Sequence, residues 1–120
     1  MLPHEKINYV EWPSANLSAT KAFFQEVFSW KFTDYGPEYT SFNNEGVDGG
    51  FYAEDKCSVS DKGGALVVFY SKDLAKTLAK IQAAGGTISK PIFNFPGGAR
   101  FHFTEPSGNE FAVWSDCWKE

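Results

Sequence analysis

The segment Phe103-Thr-Glu-Pro-Ser-Gly-Asn-Glu-Phe111 decides the fold, because it places a tight turn between two runs in which apolar and polar residues alternate. Pro106 pre-sets the φ angle that the second residue of a type I turn needs, and Gly108 can adopt the left-handed conformation that closes the turn. The segment therefore predicts an antiparallel hairpin whose strands are residues 100–104 and 110–115.

Strand alternation divides this hairpin into two faces. One face is apolar and should meet the core: Phe101, Phe103, Phe111 and Val113. The opposite face carries a less usual set: Arg100, His102, Ala112 and Trp114. A basic residue, a histidine and a tryptophan on one face indicate the lining of a pocket rather than a plain solvent surface.

The composition is that of one compact domain with an acidic surface. Of 120 residues, 42% are hydrophobic and 18% aromatic, and the net charge is −4, which argues against disorder and against a nucleic-acid or anionic-membrane partner. No apolar run is long enough to span a membrane and the first residues lack the order of a signal peptide, so we expect a cytoplasmic protein.

Cys57 and Cys117 form no motif and are expected to be free thiols without a role.

An internal repeat organises the chain at an offset of 57 residues, aligning Ser14 with Ser71 and Thr20 with Thr77. In each half a strand leads to a residue suited to cap a helix, Asn16 or Asp73, and a helix with an apolar stripe follows. Three more strands complete each half. The predicted strands are residues 7–12, 30–35, 39–43 and 50–53, then 65–70, 87–93, 100–104 and 110–115.

The predicted fold class is therefore α+β, a single domain over residues 1–120 made of two βαβββ repeats. The repeats cover about residues 6–53 and 64–116. The charged segment of residues 54–64, which ends in two glycines, is expected to be an exposed linker between them.

Two motifs resemble those of the vicinal-oxygen-chelate superfamily, which includes glyoxalase I, extradiol dioxygenases and bleomycin-resistance proteins. Asn16-Leu-Ser-Ala-Thr-Lys-Ala-Phe-Phe-Gln-Glu-Val-Phe-Ser-Trp30 is similar to the family's D-L-x-x-x-x-x-F-Y-x-x-V-F-G-W, and residues 103–109 resemble its F-x-D-P-x-G-N. The resemblance implies a curved, cup-shaped mixed sheet with the helices on its outer face. It covers nearly the whole chain.

The same resemblance speaks against the family's metal chemistry in this chain. Metal-dependent members bind a divalent ion with His, Gln or Glu from four strands. The corresponding positions here are occupied by Tyr9, Leu66, Ala112 and a stretch from Gly50 to Tyr52. We therefore expect no metal and no cofactor.

Strand alternation lists the residues that should line the cup. His102 could act as a general acid or base and Glu11 could orient it or accept a proton itself, so these two are the predicted catalytic residues. Arg100 could hold a carboxylate or phosphate with its planar guanidinium. The other predicted ligand-binding residues are Tyr9, Leu66, Val68, Tyr70, Ala112 and Trp114.

A structural interpretation of the same residues stays open. His102 could be a hydrogen-bonded inner-face histidine, Glu11 and Arg100 could form a structural ion pair across the sheet, and Tyr70 and Trp114 could pack at the rim or at a subunit contact.

Three functions fit these observations. The first is a metal-free, glyoxalase-like enzyme acting on a small carbonyl or carboxylate compound. The second is a bleomycin-resistance-like protein that sequesters a bulky ligand in an acidic, aromatic groove, and the third is a non-catalytic metabolite-binding module. Open sheet edges further predict a homodimer, with apolar residues near the chain end such as Trp114 and Trp118 in the contact.

Overall fold

A computed structural model describes residues 2–117 of the chain. The first half contains β1 (Tyr9–Ser14), α1 (Leu17–Phe28), β2 (Phe32–Asp34), β3 (Tyr39–Phe42) and β4 (Asp48–Ala53). The second half contains β5 (Val67–Tyr70), α2 (Leu74–Ala83), β6 (Thr87–Phe95), β7 (Gly98–Thr104) and β8 (Glu110–Ser115). Each half is thus a βαβββ unit, as predicted. None of the helices within residues 2–117 has the length and apolar character that crossing a membrane requires.

The eight strands form two mixed sheets of the same topology. The first sheet has the strand order β1-β4-β3-β2 and the second has the order β5-β8-β7-β6. In each sheet the strand before the helix pairs parallel with the last strand of the unit, and the remaining pairs are antiparallel. The two open, curved sheets confirm the predicted α+β class.

The helix starts repeat as closely as the topology does. Asn16 accepts a hydrogen bond from the Ala19 amide, and Asp73 accepts one from the Lys76 amide, so both predicted N-caps are confirmed. A serine and a threonine hydroxyl pair beside each cap, at 2.9 Å in the first half and 2.7 Å in the second. These pairs are Ser14–Thr20 and Ser71–Thr77, the positions that the 57-residue offset aligns.

Helix α1 packs its apolar side against residues of both sheets. Phe24 is completely buried, and its ring lies 5.6 Å from that of Phe51 in the first sheet and 5.4 Å from that of Phe111 in the second. Trp12 also reaches across to Phe111, at 5.1 Å between ring centroids. One aromatic core therefore joins both halves, and burying rings of this size supplies much of the driving force for folding.

The observed strand ends differ from the predicted ones by about two residues. β1 begins at Tyr9 because its pairing with β4 starts there, opposite Asp48, and it continues to Ser14. β2 begins only at Phe32, since Ser29 ends α1 in a left-handed conformation (φ 60°) and the Trp30 ring stacks on Phe24 at 4.5 Å. Trp30 is thereby used in the core rather than in the sheet.

The turn that decides the fold is closed as predicted, and side-chain hydrogen bonds also attach it to the first half of the chain. Gly108 has a φ of 95°, and its amide donates to the Glu105 carbonyl over 2.7 Å. The Glu105 side chain is 2% exposed and accepts hydrogen bonds from the Thr20 hydroxyl, the Ser107 amide and the Asn109 side-chain amide. Asn109 also donates to the carbonyl of Pro13 at 2.7 Å, so the second-half turn is bound to the first half.

The segment between the repeats is exposed over most of its length, yet it is tied to the second sheet. The Ser58 amide donates to the Asn109 side chain at 2.8 Å, and the Glu110 amide donates to the Ser58 carbonyl at 2.9 Å. A short 3₁₀ turn, Ser60–Lys62, follows. The segment is thus held in place at the start of β8.

We expect Glu105→Gln to lower the free energy of unfolding by about 1–3 kcal/mol, because in either amide orientation at least one of the three donors loses its acceptor. Burial raises the pKa of the Glu105 carboxyl, and the hydrogen bonds from Ser107, Thr20 and Asn109 only partly offset it. Because the folded-state pKa is raised, ionisation of Glu105 opposes folding: the stability that the protonated form contributes is fully present below the unfolded pKa and is lost as pH rises through the folded pKa.

Urea denaturation near neutral pH measures the effect, with Glu26→Gln, an exposed position on α1, as the matched control. Equal stability of Glu105→Gln and the control variant would show that the buried carboxylate does not hold the two halves together.

Candidate functional site

The face of the second sheet that points away from the core carries a buried histidine between a carboxylate and a guanidinium. Cross-strand pairing places His102 opposite Ala112 and Arg100 opposite Trp114, as the alternation predicts. His102 is only 3% exposed and Ala112 is fully buried, while Arg100 and Trp114 are half-buried. We call this surface the second-sheet face: Val68, Tyr70, Lys90, Phe93, Arg100, His102, Glu110, Ala112 and Trp114.

Glu110 is the acid that holds His102. Its Oε2 lies 2.8 Å from His102 Nδ1, and its Oε1 accepts hydrogen bonds from the Ser60 amide at 2.8 Å and the Ser60 hydroxyl at 2.7 Å. Burial acts to raise the pKa of the Glu110 carboxyl, but the hydrogen bonds from His102 and Ser60 outweigh it and lower that pKa to about 2. Glu110 is therefore a carboxylate at neutral pH.

The tautomer of His102 follows from its two partners. Arg100 Nη2 lies 2.9 Å from His102 Nε2 and Arg100 Nε lies 3.3 Å from it. A guanidinium can only donate, so Nε2 must be the accepting nitrogen and the ring proton must lie on Nδ1, directed at Glu110. In this arrangement His102 is a neutral imidazole whose Nε2 lone pair is taken by Arg100.

Arg100 is a cation whose hydrogen-bond partner is neutral. Besides His102, its guanidinium lies 5.6 Å above the ring of Phe93, which is 39% exposed. Within residues 2–117 no carboxylate forms an ion pair with it, so the ion pair of Glu11 and Arg100 that one interpretation of the sequence suggested is not formed. β6 has register irregularities on both sides of Lys90, opposite His102, and such bulges often re-aim side chains at functional sites.

Glu11 lies in a separate hydrogen-bonded cluster on the first sheet. The Tyr39 hydroxyl donates to Glu11 Oε2 at 2.7 Å, and the Tyr9 and Tyr39 hydroxyls are 2.6 Å apart. Since Tyr39 donates to Glu11, it must accept from Tyr9. A side chain at Gly50 would collide with the Tyr39 hydroxyl, so this glycine makes room for the ring. Burial, with the hydrogen bonds to Tyr9 and Glu11, raises the pKa of Tyr39 and keeps it a phenol.

His102 and Glu11 thus belong to two different hydrogen-bonded clusters, and the segment between the two repeats lies beside both clusters. Glu110 orients His102, the role that the sequence suggested for Glu11. Val59 and Lys62 line a groove of about 350 Å³ that contains Glu11 and also a groove of about 310 Å³ that contains Glu110. Alternation could have found Glu110, because it precedes Ala112 and Trp114 at even spacing on the same strand.

Val68 and Tyr70 lie beside a third and more apolar groove. They are 42% and 49% exposed, and the groove has a volume of about 400 Å³. Its other walls are aromatic and aliphatic, with one carboxyl at the edge: Trp12, Trp30, Phe42, Glu45, Gly46, Val47, Val67, Phe69 and Phe111. Burial raises the pKa of the Glu45 carboxyl. Leu66, which directly precedes β5, is half-buried.

The positions that correspond to metal ligands do not fit a divalent ion. Ala112 and Leu66 carry no donor atom, and the Tyr9 hydroxyl is already bonded to Tyr39. Among residues 2–117, no three His, Cys, Asp or Glu side chains come together in a way that could hold a metal. These positions therefore supply too few donor atoms for a divalent-metal site.

Residues 6–113 match a family model described as the Glyoxalase/Bleomycin resistance protein/Dioxygenase superfamily. A glyoxalase-related enzyme from Fulvimarina pelagi has a TM-score of 0.77 at 16% sequence identity, over 92% of this chain and 88% of that chain. A lactoylglutathione lyase from Agrobacterium tumefaciens has a TM-score of 0.70 at 17% identity, over 99% and 100%.

A fosfomycin resistance protein from Listeria monocytogenes, whose structure holds Mn(II), has a TM-score of 0.75 at 17% identity, over 94% of this chain and 90% of that chain. At these identities the structural likeness shows the fold alone. A comparison with curated protein sequences gives no significant match.

We expect Glu110→Gln to lower the free energy of unfolding near neutral pH by about 1–3 kcal/mol, because the hydrogen bonds from His102 and Ser60 lose their charged acceptor. The pKa of Glu110 is depressed from 4.5 to about 2, so this carboxylate stabilises the fold above its unfolded pKa and loses its contribution as pH falls through about 2. The difference between variant and parent should therefore shrink between these two values.

Urea denaturation at a series of pH values measures this difference, and Glu26→Gln, which removes an exposed carboxyl, is the control. A difference that stayed constant across the window would mean that the pairing with His102 does not depress the pKa of Glu110.

Proposed function

Because the chain belongs to the glyoxalase/bleomycin resistance protein/dioxygenase superfamily, we propose that it binds a small carbonyl or carboxylate compound on the second-sheet face and converts it by proton transfer, without a metal ion. The observation that supports this most is the hydrogen-bonded row Arg100–His102–Glu110. It combines an anion-binding group, a titratable base and an acid that orients the base.

Arg100 supplies the binding of an anionic group. Its guanidinium has five N–H donors in a planar fork that matches a carboxylate or phosphonate, and no protein carboxylate within residues 2–117 competes for it through an ion pair. The ring of Phe93 beside the guanidinium offers an apolar surface to the rest of a small ligand.

His102 supplies the proton transfer. Nδ1 is committed to Glu110, so Nε2 is the nitrogen that exchanges a proton with a ligand. When Nε2 takes a proton the ring becomes an imidazolium, and the adjacent Glu110 carboxylate stabilises that charge. A positioned base of this kind typically contributes about 10²- to 10⁴-fold to a rate.

Glu11 was predicted to be catalytic together with His102, and its position suggests a supporting role on the other side of the cup. The row Tyr9–Tyr39–Glu11 ends in oxygen atoms that can accept hydrogen bonds from a ligand's hydroxyl or amine. We keep Tyr9 and Glu11 as proposed ligand contacts, together with Leu66, Val68, Tyr70, Ala112 and Trp114.

A second candidate function is ligand sequestration of the bleomycin-resistance type. The groove of about 400 Å³ favours it, because the groove is lined mainly by aromatic and aliphatic side chains and has Glu45 at its edge. Its size is in the range of pockets for drug-sized ligands. A bulky apolar amine would match both the walls and the carboxyl. Binding without proton transfer would distinguish this function from the first.

We also propose that the chain forms a homodimer and acts in the cytoplasm. β5 and β6 are edge strands of the second sheet, and open edges are normally paired or covered. Trp114 lies half-buried on the interior strand β8, and we propose it as part of the dimer contact across the second-sheet face, whereas Trp118 lies outside the described residues. Light scattering should give twice the 13.4 kDa of one chain, and a particle of one chain's mass across the micromolar range would rule the dimer out.

Cell fractionation tests the proposed cytoplasmic location.

The proposed function is tested by a panel of small 2-oxo acids, hydroxy acids and aldehydes. Binding is measured by calorimetry, and exchange of ligand C–H protons with D₂O is followed by NMR. Arg100→Ala should weaken binding by about 5- to 150-fold, which corresponds to about 1–3 kcal/mol. His102→Ala should abolish exchange while the chain stays folded.

Lys76→Ala, an exposed change on α2, is the control and should behave as the parent. Chelator treatment should change neither binding nor exchange. Full activity in both site variants would reject the role of this row, and activity that is lost with chelator and restored by a divalent ion would reject metal independence.

A further inference from the structure

We propose that Arg100 is a ligand-operated cover on His102, so that the base becomes available only when an anionic group binds the guanidinium. This inference rests on the proposed function and adds to it the order of events and the class of ligand. It concerns the hydrogen bond between Arg100 and His102 Nε2, because this bond keeps Nε2 from accepting a proton from a ligand.

In the structure the lone pair needed for proton transfer is already occupied. His102 Nε2 accepts from Arg100 Nη2 at 2.9 Å, and the ring is 3% exposed. Nδ1 cannot replace Nε2, because it donates to a carboxylate that the Ser60 amide and hydroxyl also hold. His102 therefore has no free basic nitrogen while Arg100 stays in place.

The contact that covers Nε2 is the one in the row that an anionic ligand can replace. A charged donor is bonded there to a neutral acceptor, whereas Glu110 is held by three hydrogen bonds. An anionic group offers the guanidinium charge attraction and two parallel acceptors, which the neutral imidazole lacks, so an anion should draw the guanidinium away from the imidazole. Arg100 is half-buried beside a Phe93 ring that is 39% exposed, so its guanidinium lies at the solvent edge of the row.

The exchange of partners also selects the ligand. An anionic oxygen that replaces Nε2 as the acceptor lies next to the nitrogen that it uncovers. The C–H or O–H that reacts must therefore be close to the anionic group, as in a small 2-oxo or 2-hydroxy acid. A neutral aldehyde would not release Arg100 and should be a poor ligand for this site.

The test uses modification of His102 by diethyl pyrocarbonate: an unprotonated imidazole nitrogen attacks a carbonyl carbon of the reagent, ethyl carbonate leaves, and the N-carbethoxy product is followed by ultraviolet absorbance. His4→Gln serves as the background, since His4 and His102 are the two histidines of the chain. Acetate is the anion probe, with sodium chloride at equal ionic strength as the reference. Free N-acetylhistidine reports any effect of acetate on the reagent itself.

We expect slow modification in chloride and a several-fold faster reaction at saturating acetate. Arg100→Ala and Arg100→Gln should react fast in both salts, because the cover is gone, while Lys76→Ala should follow the parent. A parent rate that does not respond to acetate would overturn the proposal, and so would Arg100 variants that react as slowly as the parent.

The outcome is independent of turnover. If acetate has no effect while Arg100→Ala and His102→Ala still lose ligand binding and proton exchange, the cover is rejected and the proposed function stands. If acetate uncovers His102 but those variants keep full activity, the cover is real and the proposed function fails.

Discussion

The buried carboxylate of Glu105 is the constraint on which the rest of the molecule depends. Its acceptors satisfy donors from α1, from the turn backbone and from Asn109, and Asn109 in turn holds the end of β1. The β7–β8 hairpin is thereby fixed to the first half of the chain. Since a one-residue slip in strand register would exchange the two faces, this anchor also helps to keep His102 and Glu110 on the face away from the core.

The same hairpin divides its residues between stability and chemistry. Phe101, Phe103, Phe111 and Val113 are fully buried in the aromatic core that α1 shares with both sheets. The alternate positions carry the row of Arg100, His102 and Glu110, whose polar groups satisfy one another beneath a half-buried surface. Placing a titratable row on a rigid strand pair, and tying the linker to it through Ser60, limits how far the imidazole can move.

The two sheets carry different polar chemistry although they share one topology. The first sheet carries the phenols of Tyr9 and Tyr39 and the carboxylate of Glu11, whose oxygen atoms can accept hydrogen bonds. The second sheet carries the guanidinium of Arg100, which can only donate them. Alternation located Arg100 and His102 and also places Glu110 on their face, although Glu110 was not among the predicted site residues and its contact with His102 is seen only in the structure. It could not locate Tyr39 beside Glu11, because that contact depends on a ring crossing β4 where Gly50 has no side chain.

The sequence by itself determined the repeat, the helix caps, the closing turn and the two faces of the hairpin, because each depends on residues close in the chain or on a fixed period of two or 3.6. Only the tertiary structure decided which acid meets the histidine, where the linker is held and how Trp30 is used. The linker contact joins residues far apart in sequence, Ser60 and Glu110. The pairing of His102 with Glu110 depends on the register of β7 against β8, and the place of Trp30 depends on its stacking against Phe24 in the core that both sheets share.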